Sequence, residues 1–123
     1  MTEQGTFTVD ARDGIPLVEV AGDVDITNIK QFQEAVHSAA DGSAVGIVTS
    51  LRKVGYLDSR MVHELFVLGK RFAQNRRVFA LVLPESRSAR YILETAGVTK
   101  ANQCYASIEE AVESVKSSVK DRA

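Results

Sequence analysis

The sequence predicts a single α/β domain in which a mixed β-sheet of about four to five strands is covered by about four helices. Short apolar runs typical of strands alternate along the chain with segments whose apolar residues recur at helical spacing. No internal repeat, linker or low-complexity tract divides residues 1–123, and the core is expected to span residues 7–119. The expected order of elements, ββαβαβαβα, implies right-handed crossovers between parallel strands, with helices packed on the sheet.

The chain opens with a predicted β-hairpin. Residues 6–9 alternate apolar and polar side chains, Asp13 and Gly14 mark a turn, and residues 15–21 form a second apolar run. Residues 22–25 are interpreted as a loop that leads into the first helix. The apolar stripe of that helix consists of Ile29, Phe32, Val36 and Ala39 or Ala40.

The middle of the chain carries two further strands with a helix between them. Residues 45–51 are apolar enough for a strand buried on both faces, and a short link joins them to the apolar pair Tyr56 and Leu57. Residues 77–83 form the next core strand, which ends at Pro84. The intervening helix is indicated by the stripe Met61, Leu65, Leu68 or Gly69, and Phe72.

The last third of the chain predicts a short helix closed by Gly97, a small strand at residues 103–105 and a final helix. Ser107 and Glu110 have the spacing of a capping box, in which each side chain bonds the other's backbone N–H. Residues 117–123 are expected to fray. The inward residues of the final helix are predicted to be Ile108, Ala111, Val112, Val115 and Val119.

Composition argues against several function classes. Fifteen Lys and Arg against sixteen Asp and Glu give a net charge of -1, without the concentrated positive charge that binds nucleic acid or membrane surfaces. The single cysteine, Cys104, excludes a disulfide framework and any multi-cysteine metal site. The longest apolar run, residues 78–83, is far shorter than a membrane span, and the polar start of the chain is not a signal sequence. We expect a cytoplasmic monomer.

Catalytic signatures are missing from the sequence. Neither a dinucleotide-binding glycine motif nor a phosphate-binding loop occurs. His37 and His63 are the only histidines, and their positions on the helices favour surface residues over ligands or bases. We therefore expect no catalytic residue, no metal ion and no cofactor.

Asp58 and Ser59 stand immediately before the apolar stripe of the second helix. Both residue types are good N-caps, so the pair is predicted to start that helix. A phosphate on Ser59 would lie near free backbone N–H groups and the positive end of the helix dipole. A serine phosphoswitch is therefore physically plausible, while the simpler interpretation is a helix cap alone.

Several segments together resemble the STAS domain, over roughly residues 7–119. They are the loop Gly22-Asp-Val-Asp25, the strand that leads to Tyr56-Leu-Asp-Ser59, and the late Gly97-Val with Ser107-Ile-Glu-Glu-Ala111. Their order and spacing are similar to those of stand-alone bacterial anti-sigma factor antagonists.

This resemblance implies a partner-switching function. The unphosphorylated antagonist binds a GHKL-type serine kinase that is also the anti-sigma factor, and so frees the sigma factor. Phosphorylation of Ser59 abolishes binding, and a PP2C-type phosphatase reverses it. Asp25 matches an aspartate that lies near the phosphoacceptor in this family. The implied surroundings of Ser59 and partner interface comprise Asp58, Arg60, Met61, Asp25, Asp23 and Thr27.

The chain departs from the family pattern directly after Ser59. Family members usually have Asp-Ser-Ser-Gly or Asp-Ser/Thr-x-Gly, whereas Arg60 and Met61 follow here. Met61 would place bulk where a partner backbone approaches, and Arg60 would pair with a phosphate or select a different kinase. The alternative function is a STAS docking subunit of a transport or signalling assembly, without phosphorylation. A third is a small-molecule or nucleotide sensor or an enzyme without a known signature.

Overall fold

A computed structural model describes residues 4–41 and 45–122, the last four of them by backbone alone. Within this part of the chain five strands form one sheet in the order β1-β2-β3-β4-β5. β1 is antiparallel to β2, and the remaining neighbours are parallel. The elements are β1 (Thr6–Arg12), β2 (Ile15–Val24), α1 (Ile29–Asp41), β3 (Gly46–Leu57), α2 (Ser59–Gln74), β4 (Val78–Val82), α3 (Arg87–Ala96), α4 (Val98–Ala101), β5 (Gln103–Tyr105) and α5 (Ile108–Arg122).

The predicted α/β class and the order of elements are confirmed, with one short helix added. Gly97, with a φ of 88°, ends α3 in the left-handed conformation that suits glycine, as predicted. The added helix α4 starts immediately after it. A single helical turn is too short to produce a periodic apolar pattern, which is why no sequence pattern indicates α4.

The segment predicted to be a loop at residues 22–25 is mostly strand. β2 continues to Val24 because Gly22 pairs with Val54 of β3, and Val24 pairs with Leu57. The expected link within β3 is strand for the same reason. Register shifts at Glu19/Ala21 and Gly22/Asp23 mark irregularities in this ladder, and Gly22 there has a φ of 85°, in the left-handed region that glycine readily adopts.

The helices divide between the two faces of the sheet. The larger core cluster contains residues from α1, α2, α3 and α4, and it covers one face. The smaller cluster joins α5 to the opposite face. β3 lies between them: Ile47 and Leu51 belong to the larger cluster and Val48 to the smaller, and all three are fully buried. No described helix is both long enough and apolar enough to cross a membrane.

The C-terminal helix differs from its prediction in one respect. The Glu110 N–H donates to the Ser107 hydroxyl at 3.2 Å, but within the described residues the Glu110 carboxylate makes no bond back. The backbone is helical to Arg122, and the fraying expected at residues 117–123 stays a prediction. The predicted inward position of Val119 lies outside the described side chains.

The central strand should dominate the stability of the fold. Leu51→Ala removes a fully buried side chain from the larger cluster, so we expect it to lower the free energy of unfolding by about 2–5 kcal/mol. Urea denaturation followed by circular dichroism measures the change. Val9→Ala, on an edge strand with the side chain 47% exposed, is the matched control, with an expected loss of about 1 kcal/mol or less. Equal losses of unfolding free energy for Leu51→Ala and Val9→Ala would contradict the assignment of Leu51 to the core.

Candidate functional site

The site forms where β2 and β3 end. These strands are parallel, and Val24 pairs with Leu57 at their carboxyl ends, so the segments that follow lie side by side. The Asp58 N–H continues the pairing by donating to the Val24 carbonyl at 3.2 Å. The loop between β2 and α1 therefore lies against the start of α2.

Asp58 is the N-cap of α2. Its backbone is extended, with φ of -93° and ψ of -179°, and its Oδ1 accepts from the Met61 N–H at 3.0 Å. Its carbonyl accepts the Val62 N–H at 3.1 Å. Ser59 is the first helical residue. Of the two residues predicted to start the helix, Asp58 supplies the cap, and within the described residues the Ser59 hydroxyl has no hydrogen bond.

The second carboxylate oxygen of Asp58 connects the helix to the neighbouring loop. Oδ2 accepts from the Ile26 N–H at 3.2 Å, across 32 positions in sequence. One side chain therefore bonds the first turn of α2 and the loop before α1. Local sequence patterns cannot predict this contact, because it joins two residues that are 32 positions apart and become neighbours only when the strands pair.

Side chains within the loop hold its remaining backbone. Asn28 is 2% exposed; its Oδ1 accepts from the Asp25 N–H at 3.0 Å, and its Nδ2 donates to the Asp23 carbonyl at 3.0 Å. Asp25 Oδ1 accepts from the Thr27 N–H at 2.9 Å and from the Thr27 hydroxyl. Our sequence reasoning missed Asn28. Its position directly before α1, where asparagine is a favoured cap, was the available signal.

The hydrogen bonds of the loop also affect the ionisation of Asp25. The Thr27 hydroxyl, and after it the Thr27 N–H, lower the pKa of this carboxyl below its ordinary value of 3.8. Both donors favour the charged form. Asp25 is therefore an anion at neutral pH.

A shallow depression marks the outer face of the site. Ser59, Arg60 and His63 are exposed, and Ile26 extends outward with its side chain 68% exposed. The depression is lined by Ile26, Asp58, Ser59, Arg60 and His63.

The start of α2 can accept an anion on Ser59. Asp58 occupies the N–H groups of Met61 and Val62, while those of Ser59 and Arg60 have no partner among the described residues. Free N–H groups and the helix dipole favour negative charge at this end. The exposed Arg60 side chain adds a cation on the same turn.

Met61 is not a surface residue, contrary to its predicted place at the partner interface. Its side chain is fully buried in the larger core cluster, because the third residue of α2 is the first of the apolar stripe. Its backbone N–H serves the site by donating to Asp58. The remaining predicted residues, Asp58, Ser59, Arg60, Asp25, Asp23 and Thr27, lie on these two adjoining segments or at the end of β2.

The described residues were also searched for metal ligands and for a reactive thiol. No group of three or more His, Cys, Asp or Glu side chains among them could hold a metal ion. Cys104 is half-buried, and burial raises the pKa of its thiol to about 11, so it stays protonated at neutral pH.

Comparison with known proteins gives a family and a fold. A family model described as the STAS domain matches residues 6–111. A crystal structure of an anti-sigma factor antagonist from Mycobacterium paratuberculosis is similar with a TM-score of 0.80 and 22% identity, over 92% of this chain and 95% of that chain. A search of curated proteins found no match.

The anti-sigma factor antagonist SpoIIAA is similar in two states. In its unphosphorylated form the TM-score is 0.73 at 18% identity, over 91% of this chain and 97% of that one. The Bacillus cell fate determinant SpoIIAA in its phosphorylated form is similar with a TM-score of 0.65 at 18% identity, over 89% of this chain and 99% of that chain. At these identities the similarity shows the fold.

Removal of the cap should destabilise the protein, whereas removal of the serine should not. We expect Asp58→Ala to lower the free energy of unfolding by about 1–2 kcal/mol, because the Met61 N–H loses its acceptor. Ser59→Ala, one residue along, should change it by less than about 0.5 kcal/mol. Urea denaturation of both variants tests the assignment. A larger loss for Ser59→Ala would show that the serine is the cap.

The low pKa of Asp25 should depend on Thr27. Thr27→Ala removes the main cause of the shift, so we expect the pKa to rise toward 3.8. Because the folded pKa is lowered, the stabilisation from the Asp25 carboxylate is present above its unfolded pKa and is lost as pH falls through the folded value. NMR titration of the Asp25 carboxyl carbon measures the shift. Thr27→Ser keeps the hydroxyl and should keep the low pKa of Asp25. Equal Asp25 pKa values in the wild type, Thr27→Ala and Thr27→Ser would show that the Thr27 hydroxyl does not cause the shift.

Proposed function

Because the chain belongs to the STAS domain family, we propose that it is a cytoplasmic anti-sigma factor antagonist that acts by partner switching. In its unphosphorylated form it binds a GHKL-type serine kinase that also serves as the anti-sigma factor, and the sigma factor is released. Phosphorylation of Ser59 abolishes this binding, and a PP2C-type phosphatase restores it. The protein itself is a regulatory binding module, not an enzyme.

The free hydroxyl of Ser59 carries this proposal. Since Asp58 caps α2, the exposed serine has no structural bond to give up when it is modified. A kinase can therefore reach its oxygen without unfolding the helix. SpoIIAA, which has this fold, is known in both unphosphorylated and phosphorylated forms.

Electrostatics explains how one phosphate could switch binding. A phosphoserine adds about -1.5 to -2 charges at neutral pH. The start of α2 tolerates that charge, so the domain keeps its fold. A partner docked over the depression would have to bury the phosphate beside the carboxylates of Asp58 and Asp25, where desolvation and like-charge repulsion weaken the complex by several kcal/mol.

The departure from the family motif leaves the partner surface usable. A methionine in place of the usual glycine would obstruct a partner only if its side chain projected outward, and that of Met61 is buried in the core. Arg60 remains as the exposed difference. Its guanidinium is suited to bond a phosphate on Ser59, or to select among kinases by charge.

We further propose that residues 1–123 act as one STAS domain and as a monomer, without nucleic-acid, membrane or cofactor partners. The near-neutral net charge of -1 supports protein rather than nucleic-acid contacts. The sheet and both of its core clusters involve elements from Thr6 to the last helix, which supports a single folding unit.

The second candidate is a STAS docking subunit that is not phosphorylated. Arg60 favours it, because a family kinase that recognises a small residue after the phosphoacceptor meets a long cation here. In this case the same depression would bind a partner constitutively.

Incubation with lysate of the source bacterium and Mg-ATP, followed by intact-mass analysis, tests the switch. We expect one added phosphate on the wild type and none on Ser59→Ala. In parallel, unmodified protein is used to isolate partners from the same lysate, and mass spectrometry should identify a GHKL-type serine kinase. A phosphate that persists on Ser59→Ala would move the site elsewhere, and a bound partner without any phosphorylation would favour the docking subunit.

A further inference from the structure

We propose that Ile26 is the apolar anchor by which this protein docks, and that the partner offers an apolar pocket edged by cationic groups. This inference rests on the proposed function and identifies a specificity-determining contact of the same surface.

Exposure of Ile26 is the first observation. Its side chain is 68% exposed, although an isoleucine gains about 1.5–3 kcal/mol when it is fully buried. Single exposed apolar residues are common on monomers, so exposure alone does not define an interface. Tyr91, also 68% exposed, lies on α3 and outside the depression, which makes it a matched comparison.

The backbone around Ile26 is fixed before any partner arrives. The Ile26 N–H donates to Asp58 Oδ2 at 3.2 Å. On either side, Asp25 is bonded by Asn28 and by Thr27. These bonds hold the loop so that the isoleucine side chain stays outward, and a contact presented by an ordered loop loses less conformational entropy on binding.

Ile26 shares its depression with the phosphoacceptor. The two side chains line the same concave surface, together with Asp58, Arg60 and His63. A partner that covers Ile26 must therefore also cover Ser59. A phosphate at this point would have to be desolvated as the isoleucine is buried, which opposes docking.

Charge indicates the chemistry of the partner at the edge of that contact. The carboxylate of Asp58 lines the depression, and that of Asp25, an anion at neutral pH, lies on the loop beside Ile26. Lysine or arginine side chains of the partner would complement these two carboxylates, and because Arg60 on α2 lines the same depression, we expect those cations beside the loop and not over Arg60. The anchor would supply affinity, and the carboxylates would supply orientation.

The test measures binding of purified variants to the serine kinase identified in the preceding experiment, by calorimetry with unphosphorylated protein. We expect Ile26→Ala to weaken binding by about tenfold or more, as for a hot-spot residue. Tyr91→Ala, which removes an equally exposed side chain elsewhere, should stay within about twofold. Thermal unfolding of Ile26→Ala should match the wild type, because this side chain lies outside the core.

A second variant tests the fixed loop. In the wild type the Met61 and Ile26 N–H groups donate to different oxygens of Asp58. Asp58→Asn puts an NH2 donor in place of one of these oxygens, so one of the two bonds is lost. We expect faster hydrogen exchange at the amide that loses its acceptor. Where that is the Ile26 amide, binding to the kinase should be weaker than in the wild type, and where it is the Met61 amide, binding should be unchanged; the reverse result would contradict a role for the fixed loop.

The outcomes separate this inference from the proposed function. If the wild type binds the kinase and Ile26→Ala binds equally well, Ile26 is not the anchor, while the proposed function stands. Equal losses for Ile26→Ala and Tyr91→Ala would also overturn the inference, because binding would then follow exposed apolar surface in general. If the wild type does not bind the kinase, the proposed function fails, and the inference fails with it.

Discussion

The pairing of the carboxylate of Asp58 with two separate backbone segments is the interaction on which the site depends. One oxygen caps the first turn of α2 by accepting from the Met61 N–H, and the other holds the loop before α1 by accepting from the Ile26 N–H. The second bond depends on the parallel β2–β3 ladder, which brings Val24 and Leu57 side by side. The long-range pairing of two strands thus determines the geometry of a surface that lies outside the sheet.

Because Asp58 caps α2, the residue that stabilises the helix start is not the serine that we propose is phosphorylated. A cap contributes about 0.5–2 kcal/mol, and here the residue next to Ser59 supplies it. The serine hydroxyl can therefore change its chemistry without a large effect on the fold. In the switch that we propose, a phosphate on Ser59 at an interface would be opposed by desolvation and by the nearby carboxylates, whose combined cost would exceed the contribution of a cap. The proposed phosphorylation would then cost the complex more free energy than it costs the fold, so the proposed switch operates by docking and not by refolding.

The parts of this structure that local pattern determines could be predicted from the sequence, and the parts set by distant pairing could not. Helical periodicity gave the position of Ser59 at the start of α2 and the burial of Leu65 on its inner face. Gly22 suggested a loop because the sequence does not show that it pairs with Val54. The placement of the Ile26 backbone depends on a bond to a residue 32 positions away, which no local pattern shows. For Met61 the local pattern was right and the family resemblance was not. The apolar stripe of α2 placed this residue in the core, whereas the resemblance placed it at the partner interface.

The burial of Met61 bears on how partner choice can change within this fold. At the third position of α2 a side chain can face the core, so a glycine there is not required by the domain's own packing. A bulky apolar residue can occupy it, as Met61 does, without adding bulk outside. In the function that we propose, specificity would then depend on exposed positions that the core does not constrain, among them Arg60 and Ile26. Their different chemistry, one cationic and one apolar, can be varied independently, because Asp58 holds the backbone beside each of them.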